Sequence, residues 1–151
     1  MAAGRLTEDV GNDIFDLVKE VMHLSSARIQ QAIWADGLTI TAMEARCLRY
    51  IVRHPACTQR DIVAASGRDK GQIARLVKQL IERDAVERVP NERGERRQRL
   101  TPTSKGIELH QLAERHRAAA ARQVAEALRS DEQELLRSLL LRLVDNLKAG
   151  W

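Results

Sequence analysis

The residues able to do chemistry are of few kinds, and most of them are concentrated in one stretch. Four histidines stand at positions 23, 54, 110 and 116, and His110 and His116 are six apart, off a common helical face. Cys47 and Cys57 are ten apart, a spacing that suits neither a zinc site nor the dense disulfide framework of a small secreted scaffold. No glycine pair is followed by the Lys-Ser/Thr that a phosphate loop requires. No nucleophile–base pair stands out, so the sequence predicts no enzyme, no cofactor and no metal. What remains is cationic. Residues 58 to 103 hold 11 Lys+Arg against 7 Asp+Glu and the remainder holds 14 of each, so the whole formal charge of +4 sits in the middle third. An evenly solvated surface does not need that partition, whereas a docking face for a polyanion does.

Several short elements must position these cations. Thr41-Ala42-Met43-Glu44 reads as a capping box that starts a helix ending at His54-Pro55. Thr58 opens a short helix closed by Ser66-Gly67. Asp69-Lys70-Gly71-Gln72 reads as a second capping box, and the helix beyond it turns Ile73, Leu76, Val77, Leu80 and Ile81 inward. Its other face shows Lys70, Gln72, Arg75, Lys78 and Gln79. Two helices joined by a tight turn, the second capped and polar on one side, form a helix-turn-helix pattern. Val86 to Val89 alternates like a strand, Pro90 to Glu95 is rich in turn formers, and Arg96 to Thr101 is the return strand. This hairpin holds five arginines between Arg88 and Arg99, the composition of a wing.

Long helices flank this middle. One runs from about Asn12 to Ala35 and ends at Asp36-Gly37, with Gly37 suited to a left-handed cap. Another runs from Thr103 to about Leu128. A last one, with Ser130-Asp131-Glu132-Gln133 as its capping box, carries eight aliphatics between Leu135 and Leu147, more than one face of a small monomer buries. With 151 residues, 3% aromatics, 44% hydrophobic and 30% charged residues, the composition predicts one mainly α-helical domain and disfavours an all-β one. No apolar run reaches the ~18 residues of a membrane span, and Met1 to Val10 has no signal-peptide pattern. The cytoplasm is the predicted location.

This order of elements resembles the MarR family of bacterial winged helix-turn-helix transcription regulators over nearly the whole chain. The resemblance is densest from Ile62 to Gly106, where Leu76-Val77-Lys78-Gln79-Leu80-Ile81-Glu82-Arg83 followed by Val86-Glu87-Arg88 matches the end of that family's recognition helix and its first wing strand. The family's wing signature, Asp-x-Arg before a strand and Thr-x-x-Gly, falls on Gly94-Glu95-Arg96 or, one residue on, on Glu95-Arg96-Arg97. Arg96 belongs to both registers. The family's usual glycine after the recognition helix is Asp84 here, a residue that tolerates the left-handed conformation.

The resemblance implies a homodimer with residues 1–37 and 103–151 as the dimerisation region and 38–102 as the DNA-binding region of one compact chain. Lys70, Gly71, Gln72 and Arg75 would meet base edges in the major groove, since arginine matches guanine and glutamine matches adenine. Thr58, Arg60, Arg68 and Lys78 would hold phosphates, and Arg93, Arg96 and Arg97 would enter the minor groove. Many relatives release DNA when a small aromatic acid binds, and amphipathic His23, Trp34, Arg46 and Tyr50 on the first two helices are the candidates for such a pocket. Cys57, near Arg53, His54 and Arg60, is the candidate redox thiol, because neighbouring cations lower a thiol's pKa. Peroxide-sensing relatives carry their cysteine on the first helix, where this chain has none. Cys47 reads as a small buried hydrophobe. The competing reading is a helical dimeric protein-interaction module that never touches DNA.

Overall fold

The computed structural model describes residues 2–90 and 98–150, with side chains described from residue 9 onward. Helix α1 (Ala2–Ala35) starts well before the Asn12 suggested by apolar spacing, because extending an existing helix adds one hydrogen bond per residue and no new nucleus. It stops where Gly37, at φ +76°, donates to Trp34 O and Leu38 donates to Ile33 O. The left-handed glycine cap forms as expected.

Helix α2 (Ala42–Arg53) begins with the Thr41–Glu44 capping box complete in both directions. Helix α3 (Gln59–Ser66) has a box of its own, Thr58 with Asp61, and ends at Gly67 with φ +65°. Helix α4 (Lys70–Glu82) is capped by Asp69, whose carboxylate accepts the Gln72 N–H at 2.9 Å. Only that half of the predicted box forms, and the Gln72 side chain stays exposed. Asp84 turns the chain with φ +58°, the left-handed role its position called for. Strands β1 (Val86–Val89) and β2 (Arg99–Pro102) then pair antiparallel, Val86 opposite Pro102 and Val89 opposite Arg99. Among the described residues the return strand is Arg99–Pro102, and Arg96 and Arg97, where it was expected to begin, lie outside them. A further bridge joins the turn before α3 to the hairpin: Leu100 N–H donates to Cys57 O (2.7 Å) and Ala56 N–H to Leu100 O (2.9 Å).

Helix α5 (Ser104–Ala125) is capped by Thr103, whose hydroxyl accepts the Gly106 N–H and donates to Asp84 O at 2.6 Å. Gly106 is required by close approach, since a Cβ there would lie 1.9 Å from the Ala85 carbonyl oxygen. The helix ends at Ala125 rather than Leu128. Helix α6 (Ser130–Lys148) departs from its predicted cap: Arg129 is the N-cap residue, and its N–H donates to Glu132. Gln133, expected to complete the box, instead donates to Ala125 O and Leu128 O, both at 2.9 Å. The Ala125 carbonyl also accepts the Leu128 N–H at 2.9 Å, so Gln133 ties the turn after α5 to the first turn of α6.

The core gathers Ile33 from α1, Leu48 and Ile51 from α2, Ile62 from α3, Ile73, Val77 and Leu80 from α4, and Val86 and Leu100 from the hairpin. Helix α6 contributes no buried residue. The packed unit is therefore the middle of the chain, and it presents α4. Among the described residues, no helix is long and apolar enough to cross a membrane.

Candidate nucleic-acid interface

Helix α4 buries Ile73, Val77 and Leu80. At about 100° per residue, the opposite side carries Gly71, Arg75 and Lys78, with Gln72 beside them, and all four are exposed. Lys78 Nζ lies 3.9 Å from Glu82 Oε1 with both side chains well exposed, an ion pair too solvated to hold the lysine in place. Lys70, at the N-terminal end, faces another way and joins a groove of about 520 Å³ with Thr58, Arg60, Val63, Arg88 and Gln98. Arg88 is held there by donating to Gln59 Oε1 at 3.0 Å.

The structure thus unites Thr58, Arg60 and Lys70 and separates Lys70 from the Arg75 face. Sequence reasoning missed Gln59, Arg88 and Gln98. Arg88 carried a usable signal, because it opens the run of five arginines that ends at Arg99, and it stands exposed on β1. Thr58 lines the groove, yet its hydroxyl already donates to Asp61 Oδ2 (2.9 Å) while accepting the Asp61 N–H. These bonds from Thr58 hold the Asp61 carboxyl below the usual carboxylate range. Arg68 sits half-buried in the turn between α3 and α4, its N–H bonded to Ser66 Oγ. Arg93, Arg96 and Arg97 lie outside the described residues.

A larger cavity, about 750 Å³, opens between α1, α2, α5 and α6, with Ile29, Arg46, Arg49, His110, Glu114 and Arg117 among its walls. Of the four candidate pocket residues only Arg46 lines it. His23 is exposed on α1, Trp34 is 57% exposed, and the Tyr50 ring stacks on His54 with centroids 4.3 Å apart. The α1 wall is instead Met22, Ser25, Ser26, Ile29 and Ile33, a three- and four-residue rhythm that excludes 23 and 34. Arg117 bonds Glu114 at 3.0 Å, and Arg49 Nε lies 3.9 Å from the same carboxylate. Burial pushes the His110 imidazole below its usual range.

Cys57 does not fit the redox role expected of it. It is 6% exposed, and burial, followed by the Asp61 charge, raises its pKa instead of the neighbouring cations lowering it. Cys47 is buried as expected, its thiol pushed up to about 12, chiefly by desolvation.

The model of the MarR family matches residues 37–97, the span from just after α1 to just before β2. The HTH-type transcriptional regulator BilQ of Clostridium symbiosum is 33% identical over 94 residues, which cover 62% of this chain and 65% of that protein. The match therefore spans just under two thirds of that relative's length. Over the whole architecture, a crystal structure of MarR superposes with a TM-score of 0.79 at 24% identity, covering 91% of this chain and 98% of that one. A cysteine-to-serine mutant of MarR from E. coli, complexed with operator DNA, superposes with a TM-score of 0.75 at 22% identity, covering 87% and 93%. The fold agrees with these structures, and the sequence agrees with the MarR family's model over residues 37–97, the stretch that holds the helix-turn-helix.

Proposed function

We propose that the protein is a sequence-specific, double-stranded-DNA-binding transcriptional regulator, a repressor that acts in the cytoplasm as a homodimer on a palindromic operator. The observation that carries this reading is α4 itself. It is capped at its outer end, packed on one side, and exposes Gln72, Arg75 and Lys78 on the other, beside a groove walled by Arg60, Lys70 and Arg88. Exposed Gln72 and Arg75 suit base edges, whereas the groove cations suit phosphate, Lys70 now among them. Arg68 and Lys78 flank the same surface, and the wing arginines Arg93, Arg96 and Arg97 would extend it to the minor groove. The related MarR mutant was solved with operator DNA in the same fold, which supports carrying DNA binding to this chain.

Residues 38–102 would form the DNA-binding region, and 1–37 with 103–151 the dimerisation region. Two-fold symmetry would place half-sites about 34–36 Å apart. The cavity walled by Arg46, Arg49, Arg117 and apolar side chains suits a small aromatic acid, whose binding would release the operator.

A fluorescence-anisotropy titration of the full chain against duplex DNA over a salt series tests the central claim. Affinity should fall steeply and linearly on a log–log plot as salt rises. Binding that is weak and indifferent to salt would instead favour the protein-interaction module.

A further inference from the structure

Three hydrogen bonds converge on one guanidinium at the end of α4. Arg83 donates through Nε to Glu44 Oε1 (3.0 Å) and through its terminal nitrogens to Thr39 Oγ1 (2.6 Å) and Thr39 O (2.9 Å). Glu44 is 1% exposed, and its second oxygen accepts the Thr41 N–H at 2.7 Å. From α1, Gln30 holds the same corner, donating to Ile40 O (3.1 Å) and accepting the Ala42 N–H. An unbroken run of bonds therefore leads from α1, through the corner at 39–42 and the start of α2, to the tail of α4.

The apolar side of α4 supplies adhesion without direction, so by itself it tolerates small rolls and tilts. Charge-assisted bonds to a planar guanidinium do not. With thirteen residues in α4 rising about 1.5 Å each, a tilt of about 5° pivoting at Arg83 moves the Lys70 end by about 1.6 Å. That exceeds the roughly 0.5 Å within which a recognition group must be held. We propose that Arg83 is a positioning residue: its bonds to Glu44 and Thr39 set the angle at which α4 presents Gln72 and Arg75 to base edges. The inference rests on the DNA-binding reading above.

The test starts from a duplex that the wild-type protein selects from a random pool, with a scrambled duplex of equal composition beside it. Both are titrated with wild type, Thr39→Ala, Arg83→Lys and the double variant Glu44→Gln/Arg83→Met, each checked for a cooperative melt. The double variant removes the pair without stranding a buried charge, and glutamine can still accept from Thr41 N–H. It should lose about tenfold or more on the selected duplex, with scrambled-duplex affinity and salt slope unchanged. Arg83→Lys, which keeps a cation beside Glu44 but loses the fork on Thr39, should fall between. A folded double variant with intact discrimination, or with equal losses on both duplexes, overturns the positioning role. A wild type that selects no duplex overturns the DNA-binding reading and the positioning role with it.

Discussion

Arg75 and Lys78 are three residues apart on one exposed face, and in the DNA-binding reading proposed above their chemistry suits them to different work. A guanidinium can make two parallel bonds to a guanine edge, whereas an ammonium is a point charge that suits phosphate. Arg75→Ala should therefore lose discrimination between selected and scrambled duplex, by about tenfold. Lys78→Ala should weaken both alike and reduce the salt slope by about one. Matched titrations decide this, and equal losses in both variants would remove the division of roles. The cysteines are governed by burial. With the Cys47 thiol pushed up to about 12, its thiolate fraction at pH 8 is only about 10⁻⁴, and Cys57 is raised in the same direction. Alkylation of the native protein near pH 8 should be slower than that of the urea-unfolded chain by about a hundredfold or more at Cys47, and slower in the same direction at Cys57. Rapid native labelling of Cys57 would restore it as a redox candidate.

At the scale of elements, two local devices hold the winged unit in shape. Gly106 lets the first turn of α5 lie against the Ala85 carbonyl, where an added Cβ would meet backbone at 1.9, 2.8 and 3.1 Å. Gly106→Ala should cost about 1–3 kcal/mol, read from urea denaturation; an unchanged midpoint would mean that the α5–β1 junction is soft. Asp61 caps α3 as a charged acceptor, and its pKa is depressed by the Thr58 bonds. A depressed folded value contributes stability above the unfolded carboxylate pKa of about 3.9 and loses it as pH falls through the lower folded value. Melting temperatures of wild type and Asp61→Ala should therefore differ at neutral pH and converge below about pH 4. The elements were largely legible because their signals are local. Thr41–Glu44, Gly37 and Asp84 each act within four residues, and the structure uses them as read. What stayed hidden acts across the chain. Arg83 reaches Glu44 and Thr39 over 39 and 44 positions, Arg88 reaches Gln59 over 29, and Gln133 abandons its own helix for carbonyls at the end of α5. No periodicity encodes such pairs. The cavity is hidden for a related reason: residue type does not say which face of α1 looks inward, and His23 and Trp34 lie off the face of Ser25, Ser26 and Ile29.

For the whole molecule the decisive feature is what one chain leaves uncovered. The eight aliphatics of α6 from Leu135 to Leu147 are each 40–60% exposed, and Ile14, Leu17, Val18 and Val21 on α1 are 40–53% exposed. Apolar surface of that extent in water calls for a partner, and a second copy related by a two-fold axis would cover it with one self-complementary contact. The core of the winged unit is built from other residues, so a dimer formed through this surface would be separable from the fold. Leu139→Glu with Leu143→Glu should yield a monomer by sedimentation velocity that still melts cooperatively. Two linked recognition helices bind two half-sites with an avidity gain of roughly 10²–10⁴, so this monomer should lose about a hundredfold or more on a duplex with both half-sites. On a duplex with one half-site its affinity should match that of the wild type. A variant that remains dimeric would place the interface elsewhere, and a monomer that binds the full palindrome undiminished would show that this protein reads DNA one copy at a time.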